Sequence, residues 1–337
     1  MTTTSGKRQF MQRSLQALAL AAALCTLAAP GQARAEGYPD KPVTLVVPFP
    51  PGGTSDVVGR QLAERLGEAL GESFIIVNKA GASTIIGASY VARAPKDGYT
   101  LLLSSGSTFT TTPHLIDHLP YSLDDFAPVG TVATVPFAFV VKNGLPVKTL
   151  ADYVSYARAH PGRLNNATNG QGSMVHLLGE LVASGLDVKV TQVHYKGAAP
   201  ATMDMIGGIV DSNVEALTNA VPNVQAGRYR ALAVLSATRQ PLMPDVPTFA
   251  ELGYPSIVGE TWYAVFAPAG TPAAVVDRLN AALREVTSSQ SFAAAMREIG
   301  NEARSSTPAE LLAVTRRESD AWGSLISRLG IKPQAPQ

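Results

Sequence analysis

The residues of this 337-residue chain whose types and spacing best suit chemistry stand in Phe49-Pro-Pro-Gly-Gly-Thr-Ser-Asp56, directly behind the apolar run Val43–Val47. A β-branched run entering a double-glycine turn, followed by Thr54, Ser55 and Asp56, is the pattern of a buried strand feeding the start of a helix. Such a turn lets a ligand approach the backbone closely, and the first N–H groups of the helix point at it without intrahelical partners. The chemistry offered is the hydrogen bonding of a small anion, with a carboxylate as the natural guest. Asp56 is read as the helix cap, because a carboxylate aimed inward would repel an anionic ligand.

Four more turns carry the same character. Lys79-Ala-Gly-Ala-Ser-Thr84 and Leu103-Ser-Ser-Gly-Ser-Thr108 each follow an apolar run, and contribute Ser83, Thr84 and Ser105 as candidates. Asn169-Gly-Gln-Gly-Ser173 and Tyr195-Lys-Gly197 each precede a helical pattern further along. Alone, each turn reads equally well as a polar loop, and Lys196 as a solvated lysine. In a doubly wound sheet, however, turns that follow parallel strands share one rim, where such folds bind ligands.

Enzymatic readings find little support. The chain has no G-x-S-x-G elbow and no phosphate loop, and Gly170 and Gly172 lack the rest of a dinucleotide fingerprint. His114 and His118 stand four apart near Asp117, a possible start of a metal site, but Pro113 and Pro120 confine them to less than two helical turns. His160, His176 and His194 are scattered, and His176 and Glu180 read as a helix-face pair. No cofactor is expected, and an exported α/β hydrolase is the enzymatic alternative.

The elements that must hold these turns follow a leader. Residues 1–35 combine Lys7, Arg8 and Arg13 with an apolar run from Leu15 to Ala29 and the small-x-small site Ala33-Arg34-Ala35, the layout of a cleaved signal peptide. A run of 15 residues containing Gln16 and Thr26 is short for a membrane span. Ser5–Met11 resembles a twin-arginine signal with Lys7 in place of the first arginine, so the ordinary secretory and twin-arginine routes both stay open. Cys25, the chain's one cysteine, lies inside the leader, so the remaining 302 residues hold no thiol. They need no disulfide, since a chain of that size buries roughly three quarters of its unfolded surface. The leader carries four basic and no acidic residues, and its removal takes the net charge from +1 to −3. That balance makes nucleic acid and anionic membrane poor partners.

Beyond the leader, strand and helix patterns alternate. Val58, Leu62, Leu66 and Leu70 give one helix a buried face, Phe74–Val77 and Leu101–Leu103 read as strands, and Gly81–Ala94 as a second helix. Val129–Val135 and Phe137–Val141 are two apolar runs broken by Pro136, a second αβ series begins at Leu150, and the chain from Pro272 reads as helical to its end. The expectation is an α/β protein of two lobes, each a doubly wound, mainly parallel sheet with flanking helices. The lobes comprise residues 36–135 plus 262–337, and 136–261, joined by crossings near Thr134–Val141 and Glu260–Ala267.

In the order and spacing of Tyr38-Pro-Asp-Lys-Pro42, Val47-Pro-Phe-Pro-Pro-Gly-Gly-Thr-Ser-Asp56, Asn78–Gly87, Asp97-Gly-Tyr-Thr-Leu101, Tyr195-Lys-Gly197, Arg230–Val234, Val246-Pro-Thr248 and Ala267-Pro-Ala-Gly-Thr-Pro272, nearly the whole chain after the leader resembles the periplasmic solute-binding proteins of tripartite tricarboxylate transporters, the Bug family. The resemblance implies a type II-like Venus flytrap that captures an organic carboxylate (di-, tri- or aromatic) and delivers it to membrane permease subunits. It implies a periplasmic monomer without catalysis. A sensor subunit handing its ligand to a membrane receptor is the alternative from the same fold. Carried over residue by residue, the clamp falls on Phe49, Gly53, Thr54, Ser55 and Asp56, and on Asn169, Gly172, Ser173 and Tyr195, with Gly197 beside them. Two departures touch the expected pocket. Lys79-Ala-Gly-Ala-Ser-Thr-Ile85 replaces the family's Arg-Pro-Gly-Ala-Gly-Gly-Asn, and Glu215 stands where an aspartate is frequent.

Overall fold

The computed structural model describes residues 37–333 except Gly172 and Lys196, so the leader expected over residues 1–35 lies outside it. The described chain starts with three parallel strands, β1 (Val43–Val47), β2 (Phe74–Asn78) and β3 (Thr100–Ser105), with β1 in the middle. Helix α1 (Thr54–Leu70) connects β1 to β2 and α2 (Ile85–Ala92) connects β2 to β3; two short helices, α3 (Ser107–Thr110) and α4 (Thr112–Leu115), follow. The long strand β4 (Phe126–Lys142) leads into the second series: α5 (Leu150–Ala159), β5 (Asn165–Thr168), α6 (Met174–Gly185), β6 (Thr191–His194), α7 (Ala198–Ile206), β7 (Ser212–Ala216), α8 (Leu217–Gln225) and β8 (Tyr229–Val234). Strand β9 (Glu260–Pro268) returns, followed by α9 (Ala273–Ser288), α10 (Gln290–Glu298), β10 (Glu302–Ala303) and α11 (Pro308–Arg328).

The strands form a path β2-β1-β3-β9-β4-β7-β5-β6, with β8 and β10 also paired to β4. The ends of β4 belong to different lobes. Residues 126–136 pair with β9, while Phe137–Val141 pair with β7 and Ala138–Lys142 with β8. In each lobe one crossing strand runs against its neighbours, β9 in the first and β4 in the second, and the other strands are parallel apart from the two-residue β10.

Alternation of side chains along the strands creates a core on each face of each sheet. Leu45, Val47, Leu101, Leu103 and Val265 meet α1, α9 and α10 through Leu62, Leu66, Leu279 and Phe292. Their neighbours Val46, Leu102, Ala264 and Phe266 meet α2, α3 and α11 through Val91, Phe109 and Leu311. In the second lobe Phe137, Phe139 and Val141 pack under α5 and α6, and Ala138 and Val140 under α7 and α8.

Three local expectations are corrected. Pro136 does not break a strand: it faces Glu260 at the end of the β9 ladder, just before the β7 ladder begins, where a missing N–H interrupts neither. The second helix begins at Ile85 rather than Gly81, because Ala82, Ser83 and Thr84 all take positive φ. The chain from Pro272 is not continuously helical. Ser289 caps α10 by accepting from Phe292 N at 3.2 Å, Gly300 turns the chain at φ 72°, and Thr307 and Glu310 form the capping box that opens α11.

Candidate functional site

The directions of the strands place the five polar turns. In the first lobe β4 runs parallel to β1–β3, so it leaves that sheet at the edge where those strands end. In the second lobe β4 runs against β5–β7, so it enters at the edge where they end, with Phe137 opposite Ala216. The two carboxyl edges therefore face each other across the Pro136–Glu260 crossing.

On the first edge, the turn after β1 is held by its own side chains. Asp56, 4% exposed, accepts from Gly52 N (3.0 Å), Asn78 Nδ2 (3.1 Å), and Arg60 Nε and Nη2 (both 3.0 Å). Asn78 also donates to the Phe49 carbonyl at 3.1 Å. Hydrogen bonding to Arg60, helped by Gly52 and Asn78, holds the Asp56 carboxyl below its ordinary value. The expectation that Asp56 caps its helix is corrected: Gly53 is the N-cap, without a side-chain bond, and the Asp56 carboxylate reaches back to fasten the turn. Its four donors leave it no call for a ligand.

What the turn presents is backbone. The N–H groups of Gly53, Thr54 and Ser55 have no acceptor among the described residues, while the next two, Asp56 and Val57, close on the Gly53 carbonyl. The Ser55 hydroxyl is buried and donates to Tyr263 Oη at 3.0 Å, tying the helix start to β9. Phe49 is half-buried against the core.

The other first-lobe candidates divide by burial. Ser83 is exposed, whereas Thr84 is buried and accepts from Thr108 Oγ1 at 3.1 Å. Ser105 is buried, its hydroxyl 2.7 Å from that of Ser107. Lys79 sits 4.2 Å over the Tyr90 ring.

On the second edge, Ser173 caps α6 by accepting from His176 N at 3.2 Å, and its own N–H donates to the Gly170 carbonyl at 3.1 Å. Asn169 is half-buried beside it, and Gly172 lies outside the described residues. The turns after β5 and β6 are joined, since Tyr195 N donates to the Thr168 carbonyl at 3.0 Å and Thr168 Oγ1 lies 2.8 Å from His194 Nδ1. The Tyr195 hydroxyl donates to Asp204 at 2.7 Å, and burial, then Asp204, pushes its pKa up to about 12. Gly197, at φ 111°, opens α7.

Several groups escaped the sequence reading. Asn78 and Tyr263 fasten the first turn from other strands, and the only local signal for either was a polar atom ending or interrupting an apolar run. His176 and His194, scattered in sequence, meet edge-on at 4.7 Å, with Glu180 3.7 Å from His176. Partial burial, then His176, pushes the His194 imidazole down. His114 bonds to Ser319 at 2.9 Å, and among the described residues no three His, Cys, Asp or Glu side chains are grouped to hold a metal ion.

Glu215, expected to touch the pocket, instead points among α7, α8 and β8. Thr202 Oγ1 donates to it at 2.5 Å, and Tyr229 Oη donates to its other oxygen. Burial raises its carboxyl above 4.5. The stability this contributes is complete below the ordinary value and is lost as pH rises through the folded one. Glu215→Gln is therefore expected to flatten the fall in melting midpoint between pH 4.5 and pH 8; superimposable wild-type and variant profiles would count against this carboxyl as the titrating group.

Comparison with known proteins adds three findings. The sequence pattern described as "Tripartite tricarboxylate transporter family receptor" matches residues 58–331. The protein BugT of Bordetella pertussis is 36% identical over 324 residues, spanning 96% of this chain and 99% of BugT. Two Rhodopseudomonas palustris structures are similar throughout: Rpa4515 with adipate (38% identity, TM-score 0.79, 88% of this chain and 100% of that one) and MatC with bound malate (31%, 0.73, 86% and 100%).

Proposed function

The chain belongs to the tripartite tricarboxylate transporter receptor family of solute-binding proteins, and from that premise we propose that it is exported, captures a small organic carboxylate between its lobes and hands it to the membrane permease of such a transporter. The observation that carries the ligand class is the run of unpartnered N–H groups at Gly53, Thr54 and Ser55, the start of a 17-residue helix on the carboxyl edge of the sheet. These groups and the helix dipole stabilise a carboxylate without a dedicated arginine. Charge-assisted hydrogen bonds of ~1.5–3 kcal/mol each are enough for micromolar affinity after ordering costs. Asn169 and Ser173 supply the opposing edge, with Ser83 and Ser105 beside the first. The similar structures holding adipate and malate support a dicarboxylate.

Residues 36–135 plus 262–337 and residues 136–261 act as the two lobes, closing about the Pro136–Glu260 crossing. Ligand binding then requires no chemistry, only closure and exclusion of water. No helix among the described residues is long and apolar enough to cross a membrane. In this reading the permease subunits supply the channel.

The test is a thermal-shift panel of mono-, di-, tri- and aromatic carboxylates on residues 36–337, after refolding to strip any ligand already bound. A ligand at 100 times its Kd adds about 2.7 kcal/mol, a rise of several degrees. Ser55→Ala combined with Ser173→Ala should weaken the best acid about tenfold and leave the chain folded. No shift from any acid sinks the ligand class, and an unchanged affinity in the double variant removes the two serine hydroxyls, though not the Ser55 N–H, from the site.

A further inference from the structure

The turn between β2 and α2 is built from three consecutive non-glycine residues in left-handed conformation, Ala82, Ser83 and Thr84 at φ 45°, 51° and 79°. A positive φ is uncommon outside glycine, and at a β-branched residue it is a genuine outlier, because Cβ crowds the backbone. Such a turn persists only where its surroundings over-determine it.

Here the surroundings are a chain of hydroxyls from the next turn. Thr84 is 8% exposed and accepts from Thr108 Oγ1 at 3.1 Å; Thr108 Oγ1 lies 2.6 Å from Ser104 Oγ, and both Ser104 and Thr108 are fully buried. Tyr121 Oη donates to the Thr108 carbonyl at 3.1 Å and fixes the middle of the chain. Ser104 is the last residue but one of β3 and Thr108 lies in α3, whereas Thr84 follows β2, and β1 stands between β2 and β3. The chain therefore ties together the two turns that flank the end of β1.

We propose that Thr84 is a positioning residue of the binding site. Through Thr108 and Ser104 it clamps the turns after β2 and β3 to each other across the end of β1. It thereby holds Ser83 and Ser105 in place on either side of the Gly53–Ser55 seat before the ligand arrives. Thr84 itself is buried and touches no ligand. This assignment rests on the carboxylate-binding reading and adds the device that lets the first lobe discriminate among acids: preset flanking hydroxyls favour a ligand with a second polar group.

Thr84→Val keeps the branch and the burial while deleting the hydrogen bond; Thr84→Ser keeps the hydroxyl. Calorimetry with the best acid of the panel and a monocarboxylate of similar length separates the roles. Thr84→Val is expected to weaken the best acid about tenfold and narrow its preference over the monocarboxylate, while Thr84→Ser stays within about twofold. Thr108→Val, whose backbone is ordinary helix, should reproduce the loss, and the double variant should be no worse than either single one. A role confined to stability would lower the midpoint and leave Kd at 25 °C unchanged, and that result overturns the assignment, as does equal weakening in Thr84→Ser. A wild-type chain that binds no acid overturns the carboxylate reading itself, whereas wild-type binding with an unaffected Thr84→Val overturns this inference alone.

Discussion

Asp56→Ala is expected to lower carboxylate affinity about a hundredfold and the melting midpoint by about 5 °C. The Asp56 carboxylate touches no ligand in this account, yet it holds the turn that does. It fastens Gly52 through the backbone, Asn78 at the end of β2, and Arg60 one helical turn on. Removing it leaves Arg60 free to reach solvent, and Asn78 keeps only the Phe49 carbonyl. The direct loss is a part-buried, charge-assisted cluster, with the Arg60 side chain 58% exposed, worth about 2–3 kcal/mol, which for a chain of this size corresponds to the stated shift. The larger effect falls on binding. A loose turn must be ordered by the ligand at ~1–2 kcal/mol per residue, and releasing two residues is enough for a factor of about a hundred.

Acidity supplies the control. The Asp56 carboxyl is held below its ordinary 3.8 by Arg60, so its contribution is present above that value and disappears as pH falls through the depressed one. Wild type and Asp56→Ala should therefore differ in midpoint at pH 7 and converge only in strong acid. A variant that binds the best acid as tightly as wild type would show that the turn holds its shape without this latch.

Gly87→Ala is expected to cost about 1–2 kcal/mol of stability and to weaken binding about tenfold. Glycine inside α2 is unfavourable by roughly 1 kcal/mol relative to alanine, so propensity alone predicts the opposite sign. Packing decides against it. A Cβ at Gly87 would stand 2.7 Å from Pro48 Cβ, 2.9 Å from the Lys79 carbonyl and 3.0 Å from Pro48 Cα. A proline ring and backbone atoms cannot swing aside as the end of a flexible side chain would, so α2 or the first turn must shift, an overpacking cost of about 1–3 kcal/mol or more. Pro48 opens the turn that presents Gly53–Ser55, and Lys79 opens the one that contains Thr84, so the displacement reaches both. A midpoint raised by the substitution would mean that helix propensity outweighs the contact.

Much of this was legible from residue order. Spacing of four in Val58, Leu62 and Leu66 reports a buried helix face, and β-branched runs report buried strands, because both periods follow from backbone geometry within a few residues. The double-glycine turn is local as well, so the backbone N–H groups left without an acceptor at Gly53–Ser55 could be read from it. The role of Asp56 could not. Its latch depends on Asn78, 22 positions away, arriving at the neighbouring strand end, and Ser55 meets Tyr263 across 208 positions.

The sequence by itself determined the alternation of strand and helix, the polar turns and the family; each rests on short-range patterns that the backbone enforces wherever they occur. The tertiary structure alone decided that β4 serves two sheets, that Pro136 lies at their junction, that Glu215 points into the second lobe's core, and that Thr84 braces a left-handed turn while Ser83 stays exposed. Those outcomes follow from strand order and register between distant segments. Register decides which polar atom finds its partner in the protein and which is left for a ligand.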